Sequence, residues 1–183
     1  MDGSIKKTMP ELNRISKEEY TLKHQGGLVL ILDNVRSAFN VGSIFRTGDG
    51  MGVSFIYLCG ITCQINNREL QKTALGAELS VPSVYLESAR EAITLLKNEG
   101  YMILALEQTH DSKTLQNNLF ETNRKYAIIV GNEVEGVSEE VLRIVDACIE
   151  IPQVGAKHSL NVANAATIVL WEYFKSRNNA YTI

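Results

Sequence analysis

Between Cys148 and Phe174 the chain reads CIEIPQVGAKHSLNVANAATIVLWEYF, and positions 155 to 161 gather Gly155, Lys157, His158, Ser159 and Asn161 between an apolar run and an amphipathic one. A plain turn needs Gly, Asn or Pro only where the backbone angles are special, and Pro152 and Gly155 already supply them. The remaining polar side chains can bind, orient or help to move a proton. They can equally be caps, because Asn161 or Ser159 stands where a helix start needs an acceptor for its free amides. Two other stretches offer partners for such chemistry. Glu133, in GNEVEG, directly follows an apolar run and is bracketed by glycines, which suits an ordinary loop charge or a site carboxylate. Asn40 and Arg46 lie six positions apart after the first apolar run. Taken singly, Arg46 reads as a surface ion-pair partner; taken with Asn40, it reads as one wall of a cleft.

The elements that must position these groups follow from periodicity. Leu28-Val29-Leu30-Ile31-Leu32 has no polar break and is bounded by Gly26-Gly27 and Asp33-Asn34, the pattern of a strand buried on both faces in a parallel sheet. Val41, Ile44, Phe45 and Met51 suit a helix, Val53 to Leu58 a strand, and Ala89 to Leu96 a helix opened by a Ser88/Glu91 capping box. Tyr101 to Leu106 and Tyr126 to Val130 are further buried strands, and Ser138 is placed to cap a helix through about Val145. After Asn161, the residues Val162, Ala165, Ala166, Val169, Leu170 and Tyr173 recur at the spacing of one helix face. Alternating strands and helices predict an α/β fold with a mainly parallel sheet flanked by helices. In such sheets ligands settle at the carboxyl ends of the strands, so the loops 33–46, 131–136 and 152–161 should converge, with the plainly polar 107–113 beside them.

The N-terminal segment 1–27 reads as a polar arm with one short helix opened by Ser16 and Glu19; its start, through Thr8, is expected to be mobile. Lys6, Lys7, Arg14, Lys17 and Lys23 make it the most basic part of the chain, which fits a solvated face or an arm that touches phosphate. Residues 28–177 form the single domain and 178–183 a tail. With 183 residues and 45% hydrophobic content the chain can bury one substantial core. Its net charge of -3 gives no broad attraction to polyanions, so such a partner must meet a local basic patch. Cys59, Cys63 and Cys148 are too few for a disulfide framework, no export segment or membrane span is evident, and a cytoplasmic location is expected. His24, His110 and His158 stand alone, so no metal set is completed. Gly48, Gly50 and Gly52 mimic a dinucleotide fingerprint, but they follow a helix and precede a strand, where no free amides point at an anion; they are read as a helix stop.

Together, LDNVRSAFNVGSIFRTGDGMGV (32–53), IIVGNEVEGVS (128–138) and IEIPQVGAKHSLNVANAATIVLWEY (149–173) resemble the three ordered motifs of the SpoU-type (TrmH-like) RNA ribose 2′-O-methyltransferases of the SPOUT superfamily. KTALGAE (72–78) resembles a stretch common between the first and second motifs, and the resemblance spans nearly all of 28–174. It implies an α/β knot, in which the C-terminal segment is threaded as a deep trefoil knot. It implies S-adenosyl-L-methionine as cofactor, held by Leu106, Gly131, Ile151 and Leu160. The catalytic set it implies is Asn40, Arg46, Glu133, Ser159 and Asn161. A homodimer is implied, with Arg46 facing the partner's cofactor and Phe39, Phe45, Trp171, Tyr173 and Phe174 as candidates to cover the interface or to fill the core. RNA, either tRNA or rRNA, would meet Arg36, Lys72, Lys157 and His158, with Arg68, Lys113, Arg124 and Lys125 as further basic candidates. A non-catalytic RNA-binding dimer is the alternative, and a nucleotide-dependent oxidoreductase a third reading that lacks its phosphate loop.

Overall fold

The computed structural model describes residues 6–8, 10–12, 15–24, 26–115, 119–157 and 159–177. The first five residues of the expected mobile start, His158 and the 178–183 tail lie outside the described residues. Along the chain run α1 (Lys17–His24), β1 (Val29–Asp33), α2 (Ala38–Met51), β2 (Phe55–Cys59), α3 (Arg68–Ala74), α4 (Ala77–Ser80) and β3 (Ser83–Leu86). Then follow α5 (Ala89–Asn98), β4 (Met102–Leu106), β5 (Lys113–Thr114), β6 (Tyr126–Val130), α6 (Glu139–Leu142), β7 (Ala147–Glu150) and α7 (Val162–Arg177). The strands form one sheet in the order β3-β2-β1-β6-β4-β7-β5, and every pairing is parallel.

The two-sided burial of β1 and β6 explains their unbroken apolar sequences. Leu28, Leu30 and Leu32 enter one core with Val41, Ile44 and Phe45 of α2 and Ala166, Val169 and Leu170 of α7. Val29 and Ile31 point the other way, into a second core with Ala92, Ile93 and Leu96 of α5. The arm helix joins the first core through Tyr20, whose hydroxyl donates to the Gly48 carbonyl at 3.2 Å and the Val53 carbonyl at 2.9 Å. The expected capping bond of that helix is present, from the Glu19 amide to the Ser16 hydroxyl.

Two local expectations are corrected. Gly48 and Gly50 do not stop a helix; α2 runs through both, and only Gly52, at φ 71°, takes the left-handed position that ends it. The helix predicted to reach Val145 ends at Leu142. Its Ser138 makes no side-chain cap, because the Ser138 hydroxyl and amide both donate to Asp33 Oδ2, at 2.9 and 3.1 Å. A buried carboxylate is the stronger acceptor and takes the hydroxyl away from the helix.

Candidate functional site

The carboxyl ends of β1, β6, β4 and β7 lie side by side, and the loops that leave them are bound to one another by carboxylates. Asp33, 3% exposed, ties β1 to Ser138. Glu107, just beyond β4, accepts from the Val137 amide at 2.9 Å and from the Gln108 amide at 2.9 Å. Asn132 donates to the Asn34 carbonyl and accepts from the Val134 and Glu135 amides, closing the 131–136 loop on itself. Gly131 makes this fold-back possible: a Cβ there would stand 2.2 Å from the backbone of Gly136 and Val137. Its lack of a side chain therefore serves the loop's own backbone as well as any ligand.

Glu133 is the hub. Its Oε2 accepts from the Arg36 amide at 2.9 Å, and its Oε1 accepts from the Ser37 amide at 2.9 Å and from Asn40 Nδ2 at 2.7 Å. Asn40 Oδ1 in turn accepts from Asn161 Nδ2 at 3.1 Å, while Asn161 Oδ1 caps α7 by accepting from the Ala163 and Asn164 amides. All three sequence motifs thus meet in one hydrogen-bonded chain, Glu133–Asn40–Asn161. Of the two capping candidates, Asn161 is the cap, and it holds the site as well. Burial alone would raise the Glu133 carboxyl, but the bonds from Asn40, Ser37 and Arg36 outweigh it and hold it below the usual carboxylate range.

Next to this chain opens a cavity of about 310 Å³ lined by Leu106, Gly131, Glu133, Ile151, Ser159 and Leu160, all of them expected site residues. Its described lining also includes Glu107, Glu135 and Glu150 but no Lys or Arg. Such a pocket suits a compact cationic ligand with apolar faces and disfavours one that carries phosphates. Glu107 and Asp33 were missed as organisers. The available signal was a carboxylate placed at or directly after the end of a buried strand.

The expected substrate residues disperse. Arg36 is exposed beside Glu133, while Lys157 lies exposed in the segment after β7. Lys72 is paired with Glu69 at 2.6 Å on α3, Arg68 opens that helix and Lys113 lies on the edge strand β5. Arg46 is not at the cavity. On α2 it stands roughly 120° around the axis and about 9 Å along it from Asn40, exposed, with no hydrogen bond or ion pair to another described residue, and it lines a different groove. Phe45 and Tyr173 fill the core, whereas Phe39 and Trp171 are 50% and 45% exposed and Trp171 stacks on Phe174 at 5.7 Å.

A model of the SpoU rRNA methylase family matches residues 27–171. The chain belongs to the SpoU family. A Staphylococcus aureus protein named for the TrmH family of tRNA/rRNA methyltransferases is 33% identical over 159 residues, covering 86% of this chain and 63% of that one. The tRNA (guanosine(18)-2′-O)-methyltransferase of Mus musculus is 28% identical over 152 residues, which are 82% of this chain and 9% of that protein. The chain thus spans less than two thirds of these SpoU relatives. Among solved structures, the TrmH/SpoU tRNA modifying enzyme of A. aeolicus superposes with a TM-score of 0.74 at 28% identity, covering 88% of this chain and 84% of that one. An AdoMet-bound rRNA methyltransferase from Sinorhizobium meliloti gives 0.74 at 28% identity, covering 82% and 56%.

Proposed function

We propose that the chain is an S-adenosylmethionine-dependent methyltransferase that modifies a ribose 2′-hydroxyl of tRNA or rRNA. The observation that carries this reading is the cavity at the carboxyl ends of the strands. It has acidic groups, no described cation, and in its wall Glu133, the hub of the Glu133–Asn40–Asn161 chain. Leu106, Ile151 and Leu160 would hold the cofactor's flat and apolar parts, Gly131 would let backbone approach, and Glu107, Glu135 and Glu150 would favour its positive charge. S-Adenosylmethionine, when bound, supplies an electrophilic methyl group on a sulfonium. The same acidic lining speaks against a nicotinamide dinucleotide, whose phosphates need amides or cations.

The protein's own task is alignment and charge control. Glu133 is a poor proton acceptor, because three N–H groups already bind it and hold its proton affinity low. Its role is to fix Arg36, Ser37 and Asn40 against the sugar. Ser159, exposed at the cavity, can bind the nucleotide, and Asn161 holds Asn40 in register. Arg46, cationic at any ordinary pH, would hold a phosphate or the developing alkoxide, with the proton lost to water. Since Arg46 does not line its own subunit's cavity, it would serve the cavity of a second copy. The exposed Phe39, Trp171 and Ile168 on the packed helices α2 and α7 support a homodimer there. Threading of the C-terminal segment belongs to the same proposal, supported by Ser159 and Leu160 lining one cavity with Leu106 of β4 and Val130 of β6. So does a cytoplasmic location; no helix among the described residues is long and apolar enough to cross a membrane.

Incubation with methyl-labelled cofactor and unmodified total RNA tests the reading. Label in dinucleotides that resist alkali is expected, because a methylated 2′-oxygen cannot attack its phosphate. Label confined to alkali-released mononucleotides would show base methylation instead, and protein that binds no S-adenosylmethionine in calorimetry would remove the proposal, leaving an RNA-binding dimer.

A further inference from the structure

A second and larger cavity, about 1070 Å³, lies at the other end of the sheet. Gly26 and Gly27 before β1, Gly52 before β2, Ala77 and Ser80 before β3, and Lys125 before β6 all line it, so it faces the amino ends of the strands. The donor cavity faces their carboxyl ends, and five-residue strands put roughly 16 Å between the two levels. Its charge is opposite to that of the donor cavity. Among its described lining, Lys23, Arg46, Arg124, Lys125 and Arg177 stand against one carboxylate, Asp49, in a chain whose net charge is -3. The floor between them carries Tyr20, Met51, Tyr173 and Phe174.

These cations come from four separated segments: the end of α1, the middle of α2, the turn before β6 and the end of α7. Few are neutralised. Arg124 has an exposed helix-spaced partner, Glu121, at 3.4 Å, and Lys125 lies over the Tyr101 ring at 5.3 Å. The Arg177 guanidinium lies over the Tyr173 ring at 5.1 Å and donates to the Arg124 carbonyl, and its buried Nε meets no acceptor in hydrogen-bond geometry among the described residues. A guanidinium carries five N–H donors, so Arg177 can bind an anion beside these contacts. A single small phosphate would need donors that converge. A cavity of about 1070 Å³ with cations from four segments has room for several phosphates of one chain.

We propose that this groove seats the phosphodiester backbone of the RNA away from the donor cavity, with Lys23, Arg124, Lys125 and Arg177 as phosphate contacts. The proposal rests on the methyltransferase reading and adds to it where the body of the substrate lies. Because Arg46 lines the same groove, a strand held there is led to the guanidinium assigned to the reacting ribose. On this proposal the N-terminal arm touches phosphate through Lys23 at the end of α1.

The test is a triple charge reversal, Lys23→Glu with Arg124→Glu and Lys125→Glu, alongside the milder set Lys23→Gln, Arg124→Gln and Lys125→Gln. Each is titrated against fluorescently labelled, transcribed tRNA and rRNA fragments over a range of salt, with S-adenosylmethionine affinity and sedimentation mass followed in parallel. The reversal should weaken RNA binding about ten- to a hundredfold near physiological salt and lower the slope of log affinity against log salt by about 2 to 3, with a smaller loss in the neutral set. Cofactor affinity and mass should not change. Unaltered RNA affinity and salt slope, in a protein whose unmodified form methylates RNA, would overturn the groove and leave the activity standing. Loss of RNA binding only together with dissociation of the protein would assign the groove to contact between copies and also overturn it. Inorganic phosphate that displaces RNA at micromolar concentration would assign it to a small anion instead. If the unaltered protein binds neither cofactor nor RNA, the methyltransferase reading itself fails, and the groove falls with it.

Discussion

Glu133→Gln exchanges one oxygen for an amide nitrogen and leaves the size of the side chain unchanged. If the remaining oxygen keeps the Ser37 amide and Asn40, the new NH2 faces the Arg36 amide, two donors across a bond that now measures 2.9 Å. Losing one charge-assisted acceptor in a half-buried loop costs about 1.5–3 kcal/mol. For 183 residues, an unfolding entropy near 2.1 cal/mol/K per residue turns that into a Tm lower by about 4–8 °C. The pH dependence has a definite sign. The folded-state carboxyl is held below its usual value of 4.5, so its stabilisation is whole above that pH and is lost as pH falls through the lower folded value. The Tm gap between the two proteins, measured by calorimetry, should therefore be widest near neutrality and close as pH falls below 4.5 and through the lowered folded value. A gap that stays constant across that range would refute the view that Glu133 acts as an ionised acceptor. Methyl transfer should fall about a hundredfold at neutral pH while cofactor affinity changes little, because the loss is one of alignment.

Asn161→Ser keeps a capping oxygen for α7 but removes the donor to Asn40, so turnover should drop with a stability loss under about 1 kcal/mol, whereas Asn161→Ala should lose the cap as well and cost about 1–2 kcal/mol. Gly131→Ala places a methyl against the Gly136–Val137 backbone, and cofactor affinity in calorimetry should fall at least tenfold as the loop is forced off its fold-back. Arg46→Lys retains charge without the planar fork; most activity should be lost with an unshifted pH profile, and activity retained with a strongly shifted profile would contradict a fixed-charge role.

Legibility in the sequence followed burial. β1 and β6 could be read because both faces are covered and their sequences are unbroken apolar runs. β3, half exposed at the sheet edge, and β5, two residues long, leave no such trace. α3 escaped notice because only Leu70 and Ala74 of its seven residues are buried, too few to set a period. In the site, Asn40, Glu133 and Asn161 were recognisable through their motifs, yet their bonding order spans about ninety to one hundred and twenty positions and needs the sheet to close it. Asp33 and Glu107 act through backbone amides far along the chain, which no local pattern announces. The basic groove was hidden for the same reason, since Lys23, Arg46, Arg124, Lys125 and Arg177 form no charge run.

The claim that most needs a direct test is that one cavity with its Glu133 chain is completed by Arg46 of a second copy. Arg46→Ala and Glu133→Ala variants, each inactive alone, are unfolded together, refolded as a mixture and assayed for methyl transfer to RNA. Arg46 acting across the dimer predicts recovery to about a quarter of the unaltered activity, since half of the dimers then hold one complete site. A mixture as inactive as its components, with mixed dimers verified by mass, would contradict it.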